Sequence, residues 1–336
     1  MIYVEKGAGY KMKILNKKPS RDSLAVGLLI MIGTIVRGYA AVCFQYSTNP
    51  DIGINALMTR HIALGKQFPF FFYGQSYMGT LEAWIAAPFY IAMGHGMLPV
   101  LLGSAVVAAA SQWFLYRWVR NMAGNRAAFF ATALYVFGSP SLFYYNIFLG
   151  YPALLLFGLI CCWLAPIIVS ASKAPASRWA TELWTFTLGL AAGVGWWCNN
   201  MIVVFFPACI LVILAGIKLK KLPFVGIAGL LGFVIGGSLW VLKALTDPNA
   251  LFFLRQSGDV NLPHALPVVI HYISVALGFA RISLWRLIPT LVGTVCVLVV
   301  YAIMCISCKT WKQRAHYFMP LMIIVTTAAI CVSGSK

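Results

Sequence analysis

Acidic residues are scarce. The 336-residue chain has 7 Asp and Glu against 25 Lys and Arg, a net charge of +18, and only 10% charged residues. That is too little charge to cover a water-soluble domain of this size, which excludes a soluble globular enzyme. The positive excess is not laid out for nucleic acid either. It sits in short blocks between apolar runs, the pattern that orients membrane helices, so no nucleic-acid partner is expected. A paired Asp-x-Asp sequence is missing, as is a His cluster at metal-ligand spacing, so no metal and no other cofactor is expected. There is no internal repeat, which argues against an inverted-repeat transporter. The apolar runs are continuous and do not alternate in ten-residue strands, so helices are favoured over an outer-membrane barrel. Of nine Cys, most lie inside apolar runs (Cys43, Cys161, Cys162, Cys198, Cys209, Cys296) and act as small hydrophobes. Cys305 and Cys308 form one close pair with no second pair beside it, so neither a disulfide framework nor a metal site is read. No small-residue cleavage site follows the basic N-terminus, so the first apolar run is expected to be retained as a span.

What is present is apolar surface, 61% of the residues. Runs such as Leu24–Phe44 and Leu222–Leu245 can cross a hydrocarbon core of about 30 Å as helices. The expected fold class is an all-α polytopic membrane protein of about 9–10 transmembrane helices, in a single domain over 1–336. Lys6, Lys11, Lys13, Lys17, Lys18 and Arg21 place the N-terminus in the cytoplasm and residue 44 outside. Arg117, Arg120 and Arg126 form the next inner block. Between the two, 97–116 is expected to cross, while 81–94 is short and is expected to dip into or lie along the outer face. Residues 127–146 then go out and 152–169 return. The run 183–216 reads as two short spans broken at Asn199-Asn200, and 222–245 goes out again after Lys218, Lys220 and Lys221. The segment 246–286 reads as a second external loop with a surface helix, followed by spans at 287–307 and 317–333. This scheme gathers the loop 46–80, the turn 146–151, the Asn pair and the segment 246–286 on one side, and an active site facing outward is expected there.

Asp51 is the most informative residue. It follows the first span in Asn49-Pro50-Asp51 and opens a loop rich in Gly, Tyr, Gln and Phe. It reads either as the N-cap of a short helix or as a fixed carboxylate that takes a proton from an incoming hydroxyl or amine. Arg60 and His61 come two to three helical turns later. Arg60 suits either a phosphate or a lipid-headgroup anchor, since its planar fork matches phosphate oxygens. The run Phe72-Tyr73-Gly74-Gln75-Ser76-Tyr77-Met78-Gly79-Thr80-Leu81-Glu82-Ala83 suggests a shaped loop close to a polar ligand, with Tyr73, Gln75, Tyr77 and Glu82 as candidate contacts. Its Phe residues equally suit an interfacial aromatic belt. Glu82 and Arg37 lie at membrane depth, where charge is costly. They either pair with each other, or Arg37 meets a donor phosphate. Arg255, in the second external loop, is a further phosphate candidate.

Taken together, Asn49-Pro50-Asp51, Arg60-His61-Ile62 and the Tyr73-Gly74-Gln75-x-Tyr77-x-Gly79-x-Leu81-Glu82-Ala83 run resemble the first external loop of bacterial polyprenyl-phosphate-sugar-dependent glycosyltransferases. These are integral-membrane enzymes of the GT-C class, akin to protein O-mannosyltransferases and the lipid A aminoarabinose transferase. Gly150-Tyr151-Pro152, the helix Gly189–Trp197 with Gly189, Gly193 and Trp197, and Gly236-Gly237-Ser238-Leu239-Trp240 through Asp247-Pro248 extend the resemblance over about residues 24–260. It implies a GT-C-like fold in a bacterial inner membrane and an inverting hexosyl or pentosyl transfer. The donor would be a polyprenyl-phosphate-linked sugar and the acceptor a lipid, glycan or protein. Asp51 would serve as general base, with Arg37, Arg60, His61 and Arg255 toward the donor phosphate. The family often has Glu where Ile52 stands, and Glu where Ala153 stands. It also continues through further helices, so a short or a truncated member is expected. Two other readings stay open, a lipid-linked sugar flippase and a non-catalytic relative of the enzyme.

Overall fold

The computed structural model describes residues 21–46, 50–137, 151–173 and 179–247. The elements are α1 (Arg21–Phe44), α2 (Pro50–Ala63), β1 (Phe71–Phe72), β2 (Gln75–Gly79), α3 (Leu81–Met93), α4 (Leu98–Val136), α5 (Tyr151–Lys173), α6 (Ala180–Cys198), α7 (Phe206–Gly216), α8 (Leu222–Gly236) and α9 (Ser238–Thr246). Short 3-10 turns at Asn200–Phe205 and Leu219–Lys221 precede α7 and α8. The architecture is helical, as expected, with one small addition, the β1–β2 hairpin. Among the described residues four helices are long and apolar enough to cross a membrane: Leu24–Phe44, Leu98–Val136, Tyr151–Lys173 and Leu219–Gly236. The spans expected at 287–307 and 317–333, and the surface helix within 246–286, lie outside the described residues.

The long helix α4 is two helices joined at Gly124, whose φ of 85° and ψ of 176° only glycine adopts readily. The first half therefore runs past the expected end at 116. Arg117 does not stop it, because its guanidinium lies against the rings of Trp113 (5.6 Å) and Trp163 (5.3 Å) and stays on the helix surface. The start of α1 packs beside this break, with Val26 against Tyr116 and Ala128. Its far end packs against the start of α4, with Ala40 and Ala41 meeting Leu101 and Leu98. Residues 44 and 98 thus lie at the same end of the bundle. The 13-residue α3 between them does not cross, and it packs so closely along α4 that a Cβ at Gly103 would meet Ala86 at 2.7 Å.

The remaining helices alternate between the same two ends. Lys221 donates to the Ser172 carbonyl at 3.1 Å, so the turn before α8 sits by the end of α5. Asn199, just after α6, pairs with Met78 of the hairpin in an isolated antiparallel bridge. One end therefore collects the basic turns and the other collects the hairpin, Asn199-Asn200 and Asp247. The expected grouping of irregular elements on one side holds for those that are described. The turn 146–150 lies outside them.

Helices α6 and α8 run parallel and touch backbone to backbone. A Cβ at Gly189 would strike the Gly229 carbonyl, one at Gly193 the Phe233 carbonyl, and one at Gly232 the Phe186 carbonyl. Small residues four apart on one face allow this approach, the membrane counterpart of ridge-into-groove packing. Trp196 and Trp240 close the contact edge to face, with centroids 5.5 Å apart. The expected span 222–245 is therefore not one helix. It breaks at Gly237, where the chain lies against Gly193.

Candidate functional site

Helix α2 begins with Pro50 at its first position, where the missing N–H costs nothing. Asp51 lies in the first turn of α2, not at its N-cap. It is exposed, at the positive end of the helix dipole, a place that favours an anion. Among the described residues no ion pair engages it. Ile52, next to it, turns inward and is 3% exposed against Ala40, Ala41 and Leu101.

The hairpin follows α2 in the chain and packs against it through β1. Its two-residue connection, Tyr73-Gly74, has Gly74 at φ 82°, and Phe72 pairs with Gln75. Indole and hydroxyl donors hold the strand backbone. Thr80 Oγ1 (2.7 Å) and Trp84 Nε1 (3.0 Å) both donate to the Pro69 carbonyl. Trp197 Nε1 donates to the Phe70 carbonyl at 2.9 Å. With its amide oriented to donate, Asn200 reaches the carbonyls of Tyr77 (3.0 Å) and Trp196 (2.9 Å). Desolvation, and then the Asp51 charge, push the Tyr77 phenol above its ordinary range. On the neighbouring residue, Ser76 Oγ donates to Asp247 Oδ2 at 2.6 Å, and Lys243 bridges to the same oxygen at 3.2 Å. Two carboxylates thus act on the hairpin strand, Asp247 from the end of α9 by contact with Ser76 and Asp51 from α2 through its charge on Tyr77.

The other expected site residues are dispersed. Nine residues are about two and a half helical turns, so Arg60 leaves α2 on the opposite face from Asp51, about 13 Å further along. It lines a groove of about 380 Å³ with Leu57, Tyr90 and His95. His61, one residue on, has Nδ1 2.8 Å from the Tyr73 hydroxyl, which donates to Gln67 Oε1 at 2.6 Å. Partial burial pushes the Tyr73 phenol up. Gln75 stays in the hairpin. Phe68 and Phe70 both stack with the Trp84 ring, with centroids 5.8 and 5.9 Å away, while Phe72 is buried.

Arg37 and Glu82 turn to different partners. Arg37 is fully buried; it donates to the carbonyls of Gly33 (3.1 Å) and Tyr135 (3.2 Å) and lies 4.3 Å from the Tyr135 ring. These contacts offset the cost of a cation inside a span and tie α1 to the second half of α4. Glu82, also fully buried, accepts the N–H of Ala153 at 3.3 Å with Oε1. It satisfies a donor in the first turn of α5, a place that favours a carboxylate. Ala153 is itself fully buried, so the small residue there lets Glu82 approach the backbone. Ile52 is thus sealed in apolar packing and Ala153 against Glu82. Arg255 lies outside the described residues. Among the described residues no three His, Cys, Asp or Glu gather as metal ligands.

The topology placed the segment that opens at Asp247 on the same side as the first loop, but not its contact with Ser76. Lys243 was not a candidate, and its four-residue spacing from Asp247 is the local signal for that pair.

The model of the dolichyl-phosphate-mannose-protein mannosyltransferase family matches residues 79–240, just under half of the chain. No curated protein matches the sequence significantly. Among solved structures, ArnT from Cupriavidus metallidurans in the apo state superposes with a TM-score of 0.54 at 18% identity, over 91% of this chain. The same protein bound to undecaprenyl phosphate gives 0.53 at 16% identity, over 90%. The chain spans 60% and 59% of the length of those two. The shared fold is that of the GT-C class, in agreement with the resemblance read from the loop motifs.

Proposed function

We propose that the chain is an inverting glycosyltransferase that uses a polyprenyl-phosphate-linked sugar, with Asp51 as its general base. One observation carries this reading. Asp51 is an exposed carboxylate on the first turn of α2, and its charge reaches Tyr77 of a hairpin whose backbone is pinned by side-chain donors. The mannosyltransferase family match and the undecaprenyl phosphate bound by the ArnT neighbour support the donor class.

In the reaction, an acceptor hydroxyl or amine attacks the anomeric carbon. Its proton passes to a carboxylate oxygen of Asp51. The bond from that carbon to the lipid-phosphate oxygen breaks, and the phosphate leaves with the electron pair. The acceptor is a lipid, glycan or protein at the outer face of a bacterial inner membrane. The hairpin positions the reactants, with Tyr77 within the charge of the base and Ser76 tied to the Asp247–Lys243 pair. Lys243 joins the donor-phosphate candidates. Arg37 is enclosed and Arg60 faces away from Asp51, so neither is assigned that role in this arrangement.

Reconstitution in proteoliposomes with a polyprenyl-phosphate sugar and envelope acceptors tests the proposal. Asp51→Asn should lower transfer by about 10²- to 10⁴-fold, the share a positioned base supplies, with membrane insertion unchanged. Transfer at the wild-type rate rejects Asp51 as base. Sidedness is checked with an impermeant thiol reagent on Lys66→Cys and Lys220→Cys, both exposed and at opposite ends. Only the first should label from outside.

A further inference from the structure

The groove beside α2 faces away from Asp51, and its chemistry differs from that of the hairpin. We propose that it binds the phosphate of an anionic membrane phospholipid, with Arg60 and His95 as its polar contacts. The cavity, about 380 Å³, lies between the outer face of α2 and the turn from α3 to α4. Arg60 is exposed, lines the cavity, and has no ion-pair partner among the described residues. No carboxylate lines the cavity with it. An uncompensated guanidinium fork matches two phosphate oxygens.

His95 is held ready on the other wall. It sits between Gly94 (φ 82°) and Gly96 (φ 131°), backbone conformations that a side chain disfavours. The Tyr90 hydroxyl lies 2.7 Å from its Nδ1, which leaves Nε2 as the nitrogen available to a ligand.

The rim argues for a lipid and not a free anion. Leu57, which lines the groove, is 44% exposed, so Arg60 has open apolar surface beside it. The groove lies at the level where α1 ends and α4 begins, since Ile52 of α2 packs against Ala40, Ala41 and Leu101. A guanidinium beside an exposed aliphatic side chain at the end of a bundle matches a headgroup phosphate with an acyl chain running past it. A net-negative headgroup fits better than a zwitterionic one, because nothing acidic in the groove would receive an ammonium.

The test uses the full purified chain and needs no glycosyl transfer. Short-chain phosphatidylglycerol, short-chain phosphatidylethanolamine and inorganic phosphate are titrated separately. Binding is read by native mass spectrometry and by thermal melting. Phosphatidylglycerol should bind and raise the melting temperature, and Arg60→Gln should weaken that binding about tenfold, the share of a charge-assisted contact. Arg60→Lys, which keeps the charge but not the fork, should recover part of it. Arg60 is exposed, so an unchanged melting temperature without lipid confirms that each variant folds. The proposal is overturned if Arg60→Gln binds phosphatidylglycerol within twofold of wild type. It is equally overturned if inorganic phosphate alone competes at the same concentration, or if phosphatidylethanolamine binds as tightly.

Discussion

Where α6 meets α8, side chains are missing; where the hairpin meets the rest of the protein, they reach across. In the first region Gly189, Gly193, Gly232 and Gly236 let two backbones touch, and a methyl group at any of them would strike a carbonyl or the adjoining backbone. In the second, Trp84, Trp197, Thr80 and Asn200 hold irregular backbone by donating to its carbonyls. Inside a span the backbone has satisfied itself, so close contact needs only small residues. In the hairpin the carbonyls have no helix to satisfy them, so polar side chains must do it. The rigid part of the protein is specified by what is absent, and the part that carries chemistry by what is present.

The largest expected effect separates the two carboxylates that act on the hairpin. Asp51→Asn should cost about 10²- to 10⁴-fold in transfer. Asp247→Asn removes only support for Ser76 and Lys243 and should cost about tenfold or less. Equal losses would make the two acids partners in the chemistry and break the distinction between base and support. Next comes the packed seam. Gly189→Leu should destabilise by about 1–3 kcal/mol or more through overpacking, seen as a lower melting temperature and a smaller monodisperse fraction. Gly226→Leu on α8, where a Cβ meets nothing within 4 Å, should leave both unchanged. If the two behave alike, the seam is not what joins α6 to α8. A smaller effect is expected for Trp197→Phe, which keeps the ring but removes the donor to Phe70. It should cost about 1 kcal/mol and raise amide exchange over 70–79 while α6 and α8 keep their protection. The smallest is Ser76→Ala. The Lys243–Asp247 pair it leaves behind is partly exposed and worth little, about 0–1 kcal/mol. Exchange should rise near β2 alone.

Much of the fold was legible because membrane helices write themselves as long apolar runs punctuated by basic turns. The break at Asn199-Asn200 and the non-crossing segment at 81–94 both followed from length and charge. Two readings shifted. The first span after the hairpin ran on to Gly124, since an arginine lying against tryptophan rings, Arg117, does not end a helix. The run 222–245 broke at Gly237, where a glycine contact in the seam mattered more than continuous hydropathy. At the site, Asp51 and Tyr77 were legible as residues of one loop, and in the structure the Asp51 charge acts on the Tyr77 phenol. Topology put Asp247 on the same side as the loop, but its contact with Ser76 was not legible, because a 171-residue separation leaves no trace in local pattern. Arg60 looked close to Asp51 in sequence, but helical periodicity sends it to the other face.

By itself the sequence determined that the chain must live in a membrane as helices, since so much apolar surface and so little charge admit nothing else. It also determined which irregular segments share an end, because basic turns and apolar lengths set the alternation. Only the tertiary structure decided which polar groups meet. Hydropathy records the cost of each residue in lipid, whereas a hydrogen bond such as Trp197 to Phe70 depends on where two distant backbones come to rest.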